Sequence, residues 1–387
     1  MPSNPLTRPV TTLVTRLLLP EAAGRWSVPS GARVVTRLAH GLAPVFRGLG
    51  HLESRLLRRR LARWPVDRPI YVVGIARAGT TVTLELLHNH PAVATHRYYH
   101  LPIPFLPHWS GRLISALPLA TAAPVERIHA DRLRITKDSP EMVEERIWMA
   151  YFEHLHTERQ TNVLDARTRN PPFEGAYTDH IRKVCLAQAR PRYAAKNNNL
   201  VTRLPYLHHL FADARFVLIV RHPVAHVASL HKQQRLFMDL CTADPTLVRY
   251  LDIVGHYEFG PHQRFIHVGQ DDAMQRIRAL WRSHRFAEAL ATYWASVYGH
   301  VADVLAADPG LAAATRVVRY EDLCRDSGPI IDGILRHTDL APEPFTETRA
   351  HYTATLTEPD YYRHGFSDAE VGAIEEITAP VASRYGY

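Results

Sequence analysis

Ile70-Tyr71-Val72-Val73-Gly74-Ile75-Ala76-Arg77-Ala78-Gly79-Thr80-Thr81-Val82-Thr83-Leu84-Glu85-Leu86-Leu87 is the stretch from which the rest of the chain can be read. Its first four residues form an apolar run closed by glycine, the pattern of a strand buried on both faces. Thr81 to Leu87 carries helical spacing, with Leu84 and Leu87 on one face. A strand, a glycine turn and a helix start gather backbone N–H groups and the positive helix end around one small space, which suits a phosphate. The interval from Gly74 to Gly79 matches the nucleotide loop G-x-x-x-x-G-K-[ST], but Thr80 stands where that motif needs lysine. The cation has moved upstream to Arg77. A loop without the lysine that reaches β- and γ-phosphates suits a nucleotide with a single 5′-phosphate carrying some other transferable group.

A second segment extends the pattern. Arg215 to Val220 is a β-branched apolar run, hence a buried strand, and it leads into Arg221-His222-Pro223-Val224-Ala225-His226-Val227-Ala228-Ser229. Pro223 suits a helix start, where its missing N–H costs nothing. Arg221 then sits at the strand's carboxyl end and Ser229 two turns into the helix, the edge at which open α/β sheets bind ligands. A third segment, Val317-Val318-Arg319-Tyr320-Glu321-Asp322-Leu323, reads as a strand followed by a helix that Glu321 or Asp322 would cap.

Gly-Ile-Ala-Arg-Ala-Gly-Thr-Thr resembles the 5′-phosphosulfate loop of sulfotransferases that use 3′-phosphoadenosine 5′-phosphosulfate (PAPS), commonly P-R-S-G-T-T or P-K-S-G-T-T, with Ala78 in place of the serine. Arg221 to Ser229 is similar to the family's 3′-phosphate stretch, R-D-P-x-x-x-x-x-S, with His222 in place of aspartate. Arg319 to Leu323 matches its R-Y-E-D-L turn. Tyr193-Ala194-Ala195-Lys196 looks like the lysine-bearing strand of the bacterial and tyrosylprotein-sulfotransferase-like branches. The C-terminal Ser367-Asp368-Ala369-Glu370 helix, running to Tyr387, resembles the end of that branch.

The resemblance implies a P-loop-like α/β fold and PAPS as co-substrate, with no metal. The donor would be bound by Arg77, Ala78, Gly79, Thr80, Thr81, Arg221 and Ser229. Arg77 would meet the leaving oxygen and the 5′-phosphate; Arg221 and Ser229 would hold the 3′-phosphate; Lys196 would stabilise the sulfonate or the leaving oxygen. The general base is left between two candidates. The first is a histidine of Thr95-His96-Arg97-Tyr98-Tyr99-His100, either His96 or His100, whose titration range suits proton abstraction near neutrality. Glu141 lies in Asp138-Ser139-Pro140-Glu141, which reads equally as a capped helix start with Pro140 opening the helix. The acceptor would be a hydroxyl of a glycan, lipid or small metabolite. The alternatives are a kinase-like P-loop enzyme and a non-catalytic nucleotide-binding protein.

Composition bounds these readings. The 387 residues carry a formal net charge of +8, are 46% hydrophobic and 22% charged, as expected of a globular chain. Lysine occurs only at 137, 183, 196 and 232, so Lys196 is not the default cation of an arginine-rich chain. The arginines are scattered and no nucleic-acid-binding signature appears, which argues against a nucleic-acid partner. Cys185, Cys241 and Cys324 are odd in number and lack metal spacing, which predicts a reducing, cytoplasmic setting. The 24 histidines form no metal-binding motif. Val10 to Leu19 is interrupted by Thr11, Thr12, Thr15 and Arg16 and makes a poor secretory signal.

Residues 1–65 read as a basic helical extension, and 66–387 as the nucleotide-binding catalytic part. In the extension, Leu52, Leu56, Leu57 and Leu61 follow helical spacing among Arg55, Arg58, Arg59, Arg60 and Arg63. That pattern fits a helix packed on the catalytic part, or one resting on the inner face of an acidic membrane. From Arg68 onward, strands Ile70–Val73, Tyr193–Lys196, Arg215–Val220 and Thr315–Arg319 alternate with helices. This predicts a parallel sheet covered on both faces. Two aromatic-rich insertions, Tyr98 to Pro124 and Leu240 to Asp272, fit lid segments, or else peripheral packing or a homodimer contact.

Overall fold

A computed structural model describes residues 30–116, 124–131, 133–357 and 365–387. Five strands form one parallel sheet: β1 (Ile70–Val73), β2 (Val93–Thr95), β5 (Arg192–Lys196), β6 (Arg215–Val220) and β7 (Thr315–Arg319), in the order β2-β5-β1-β6-β7. A separate hairpin pairs β3 (Val125–Glu126) with β4 (Arg134–Ile135). In the sheet, Ile70 pairs with Ala194 on one side and Arg215 on the other. After β1 the chain runs out to the β2 edge, returns through β5, and then crosses to β6 and β7. The winding therefore reverses at β1, and the carboxyl ends of β1, β5 and β6 border one crevice.

Strand alternation splits the core into two layers. Tyr71, Val73, Phe216, Leu218 and Val220 face Trp148, Phe173, Tyr177, Trp294 and Tyr298. Those partners come largely from the helices Pro171–Gln188 and Phe286–Ala307. Ile70, Val72, Val217 and Ile219 face Leu84, Leu87, Ile331 and Ile334, from the helices Thr80–His88 and Ser327–His337. Because both faces are covered, β1 is buried at every position, which is why it reads as an unbroken apolar run.

Three of the four expected strands have the expected bounds, and the fourth gains Arg192 at its start. The edge strand β2 and the β3–β4 hairpin were not legible; both are too short to show a period.

The helix Ala43–Leu61 packs on Pro171–Gln188. Leu57 and Leu61 are buried with Leu186, whereas Leu52 and Leu56 are exposed. Beneath this helix, buried Glu53 pairs with Lys183 at 3.0 Å and accepts the Trp109 N–H at 2.6 Å. The leucine spacing therefore marks a packed face for half its members only. Among the described residues no helix is long and apolar enough to cross a membrane. Val10 to Leu19 lies outside the described residues, as does 117–123 of the first insertion. The described part of that insertion packs against the same helices: the Phe105 carbonyl accepts from Lys183 at 3.3 Å.

Candidate active site

The turn after β1 is shaped by its glycines. Gly74 has φ 150°, and a Cβ there would fall 2.7 Å from the Ile219 carbonyl oxygen of the neighbouring strand. Gly79 has φ 106°, and a Cβ there would collide with the Tyr320 ring. Between them Arg77 adopts φ 72°, a left-handed conformation that costs a side-chain-bearing residue roughly 1–3 kcal/mol. The helix Thr80–His88 begins at Gly79 with no side-chain cap. Its first-turn N–H groups therefore have no acceptor within the helix.

These features open into a cavity at the carboxyl ends of β1, β5 and β6. Arg77, Gly79, Thr80 and Thr81 line it from the turn, Lys196 from the end of β5, and Arg221 from the end of β6. Arg127 and Asp131 enter from the β3–β4 hairpin, Glu141 from the segment after it, and Tyr320 from the turn after β7.

Arg77 pairs through Nη1 with Asp131 at 2.8 Å and donates from Nε to Ser229 Oγ at 3.3 Å. Arg127 also holds Asp131, with Nε 2.9 Å from Oδ1, and reaches Thr81 Oγ1 at 3.3 Å. Arg221 donates to the Arg77 carbonyl at 3.3 Å and lies 5.1 Å above the Tyr320 ring; its Nε is buried and has no partner among the described residues.

Burial lowers the pKa of Arg77 while Asp131 opposes the shift, and burial likewise lowers Lys196 against the pull of Glu141. Asp131 is pushed up by burial but held well below the usual carboxylate range by Arg127 and Arg77. The cavity thus concentrates four cations, Arg77, Arg127, Lys196 and Arg221, in a partly dehydrated space. Charge attraction is stronger there than at a wet surface.

Of the expected donor-binding residues, Arg77, Gly79, Thr80, Thr81 and Arg221 share this cavity, and two do not line it. Ser229, 6% exposed, stands behind Arg77 as its hydrogen-bond acceptor. Ala78 is fully buried among Ile70, Val72 and Leu84, and its N–H is taken by the Ile75 carbonyl at 3.2 Å. It has no group to offer a phosphate.

The base candidates separate clearly. His96 lies outside the cavity and is 2% exposed; its Nε2 sits 2.9 Å from His180 Nε2, and burial pushes its pKa down to about 3. Its neighbour His100 is also fully buried and accepts the Arg97 N–H at 3.1 Å. A sealed imidazole cannot meet an acceptor, so the expectation for His96 is corrected by the packing around β2. Glu141 does line the cavity. The helix expected from Asp138 is absent: Pro140 bridges to Arg97 in an antiparallel pair, and the helix starts only at Glu145. Glu141 is therefore free of the capping role. Glu321 and Asp322 are not caps either. Glu321 accepts the His222 N–H at 2.9 Å, and Asp322 pairs with Arg319 at 2.6 Å.

Sequence reasoning missed Arg127, Asp131 and Tyr320 as lining residues. It also missed His256, Glu258 and Phe259, which the insertion Leu240 to Asp272 brings to the cavity. The aromatic composition of that insertion was the available signal; nothing local marked Arg127 or Asp131.

Residues 69–238 match the sequence model of the Sulfotransferase family. No curated protein matches the chain. Among solved structures the chain is similar to sulfotransferase STF9 from Mycobacterium avium, with 17% identity, 98% of this chain and 86% of that one covered, and a TM-score of 0.48. It is also similar to sulfotransferase STF1 from Mycobacterium tuberculosis H37Rv, with 17% identity, coverage of 86% and 81%, and a TM-score of 0.43. A sulfotransferase from Alicyclobacillus acidocaldarius gives 13%, 83% and 95%, and 0.37.

Proposed function

We propose, from the match of residues 69–238 to the Sulfotransferase family, that this protein moves a sulfuryl group from PAPS to an acceptor hydroxyl. One observation carries the reading: the glycine turn, Lys196 and Arg221 come from three separate strands yet line one cavity. The fit to an anionic nucleotide rests on the uncapped helix start at Gly79 and on the buried, unpartnered Nε of Arg221. Both are donors that a phosphate satisfies.

In-line transfer forms a bond from the acceptor oxygen to sulfur and breaks the bond from sulfur to the bridging oxygen. The bond pair leaves on the 5′-phosphate. Negative charge therefore grows at the bridging oxygen, and donors fixed there stabilise the transition state more than the ground state. Arg77 and Lys196 take that role. Gly79, Thr80 and Thr81 hold the 5′-phosphate, and Arg221 holds the 3′-phosphate. Ser229 positions Arg77. Asp131 is the counter-ion that the incoming donor must displace from Arg77.

Calorimetry with adenosine 3′,5′-bisphosphate against ADP plus magnesium tests the reading. Binding of the bisphosphate without comparable binding of ADP is expected. Preference for ADP would favour a kinase-like enzyme and overturn it. Labelled-sulfate transfer then separates an enzyme from a binding protein.

A further inference from the structure

A second, narrow cleft meets the donor cavity: Ala76, Glu258 and Phe259 line both. Its walls include Leu155, Leu230, Tyr257, Phe265, Trp281 and Tyr293. Phe265 packs edge-on to Trp281 at 5.2 Å and lies 5.0 Å from Tyr293, so the walls are largely ring faces and edges. Most polar groups of the cleft are engaged within the protein. His156 bonds Glu145 at 2.6 Å, Asn162 and His267 bond each other's backbone, and Gln234 accepts the Gly260 N–H at 2.8 Å.

Two oxygens differ, Gln263 Oε1 on the cleft wall and Glu258 Oε2 at the junction, and of these two only Glu258 is a carboxylate that also lines the donor cavity. The Glu258 Oε1 accepts from Asn198 at 2.7 Å, but its Oε2 is buried with no hydrogen-bond partner among the described residues. His256 Nδ1 stands 3.5 Å from that oxygen without bonding it. Lys196, across the junction at the end of β5, and Tyr293, from the helix Phe286–Ala307, are the other titratable groups that feel its charge. A buried carboxylate oxygen without a partner is costly unless something donates to it.

We infer that the cleft admits a flat, largely apolar alcohol or phenol and that Glu258, rather than His96 or Glu141, accepts its proton. The inference rests on the donor reading above. The acceptor O–H bond breaks toward Glu258 Oε2 as the acceptor oxygen bonds to sulfur, and the S–O bridge breaks with its electron pair passing to the 5′-phosphate oxygen. Asn198 holds the other carboxylate oxygen and so fixes the direction of the one that works.

The test loads the protein with adenosine 3′,5′-bisphosphate and titrates 2-naphthol, with methyl glucoside as the polar control. It then measures kcat and KM for labelled-sulfate transfer to 2-naphthol for the wild type, Glu258→Gln and Glu141→Gln. The naphthol is expected to bind and the glucoside not. Glu258→Gln should retain bisphosphate binding and lower kcat at least a hundredfold, with a far smaller change in the KM for 2-naphthol. Glu141→Gln should lower kcat far less. If the bisphosphate binds but 2-naphthol does not, the donor reading stands and this inference falls. It falls equally if Glu141→Gln abolishes transfer while Glu258→Gln keeps near-full kcat. Failure of the bisphosphate to bind removes the donor reading itself.

Discussion

At the scale of single residues the site turns on Arg77. Its guanidinium is held from two sides, by Asp131 at 2.8 Å and by Ser229 at 3.3 Å, while its backbone carries the left-handed φ of 72°. That conformation goes with a side chain that lines the same cavity as the uncapped helix start at Gly79. Arg77→Ala leaves the hydrophobic layers intact but removes charge from the growing anion. A rate loss of about a hundredfold or more, roughly 2.7 kcal/mol, is expected with little change in melting temperature. Near-full turnover by this variant would refute the assignment. The residue type and its place between two glycines were legible in sequence. Its partner Asp131 was not, since 54 residues separate them and no local pattern pairs them.

At the scale of elements, β1 and most of β6 announced themselves because burial on both faces leaves apolar positions, whereas β5 stood out by the lysine that ends it. The helix Asp368–Ala382 was equally legible: Ser367 and Glu370 form a reciprocal capping box, a device written in four consecutive residues. The segment Asp138 to Glu141 misled for the same reason. Its residues are good caps, but pairing with Arg97 holds it extended and turns Glu141 toward the cavity.

The helix Ala43–Leu61 is fixed to the core by the Glu53–Lys183 pair, buried at both ends. Burial raises the Glu53 pKa, and Lys183 opposes that shift. Glu53→Ala leaves a buried ammonium unpaired, which should destabilise the fold by about 3–5 kcal/mol. Chemical denaturation reads this directly. A change below the error of the method would mean that the helix is not fixed in this way. Double replacement of Glu53 and Lys183 by apolar residues should recover much of the loss.

At the scale of the whole molecule, the interior stores neutral histidines. Burial pushes His96 and His226 down to about 3, and His100 and His180 well below the ordinary value of 6.5. A base whose folded pKa is depressed gives stability above its unfolded pKa and loses it as pH falls. Each should remove about 1.4 kcal/mol per pH unit below roughly 6.5. Glu144, raised to about 7 by burial, acts oppositely and offsets part of the loss. The melting temperature should therefore drop steeply between pH 6.5 and 4.5, and His96→Gln should shallow the drop. A flat profile would contradict the neutral assignment.

The sequence by itself determined four of the five strands of the sheet, the glycine turn, and the cations Arg77, Lys196 and Arg221, because local pattern and strand burial are properties of consecutive residues. Only the tertiary structure decided that these cations share one cavity, that His96 is sealed beneath β2, and that Glu258 reaches the junction of two clefts. Those outcomes depend on how distant segments stack across the sheet, and such long-range packing leaves no mark on the local order of side chains.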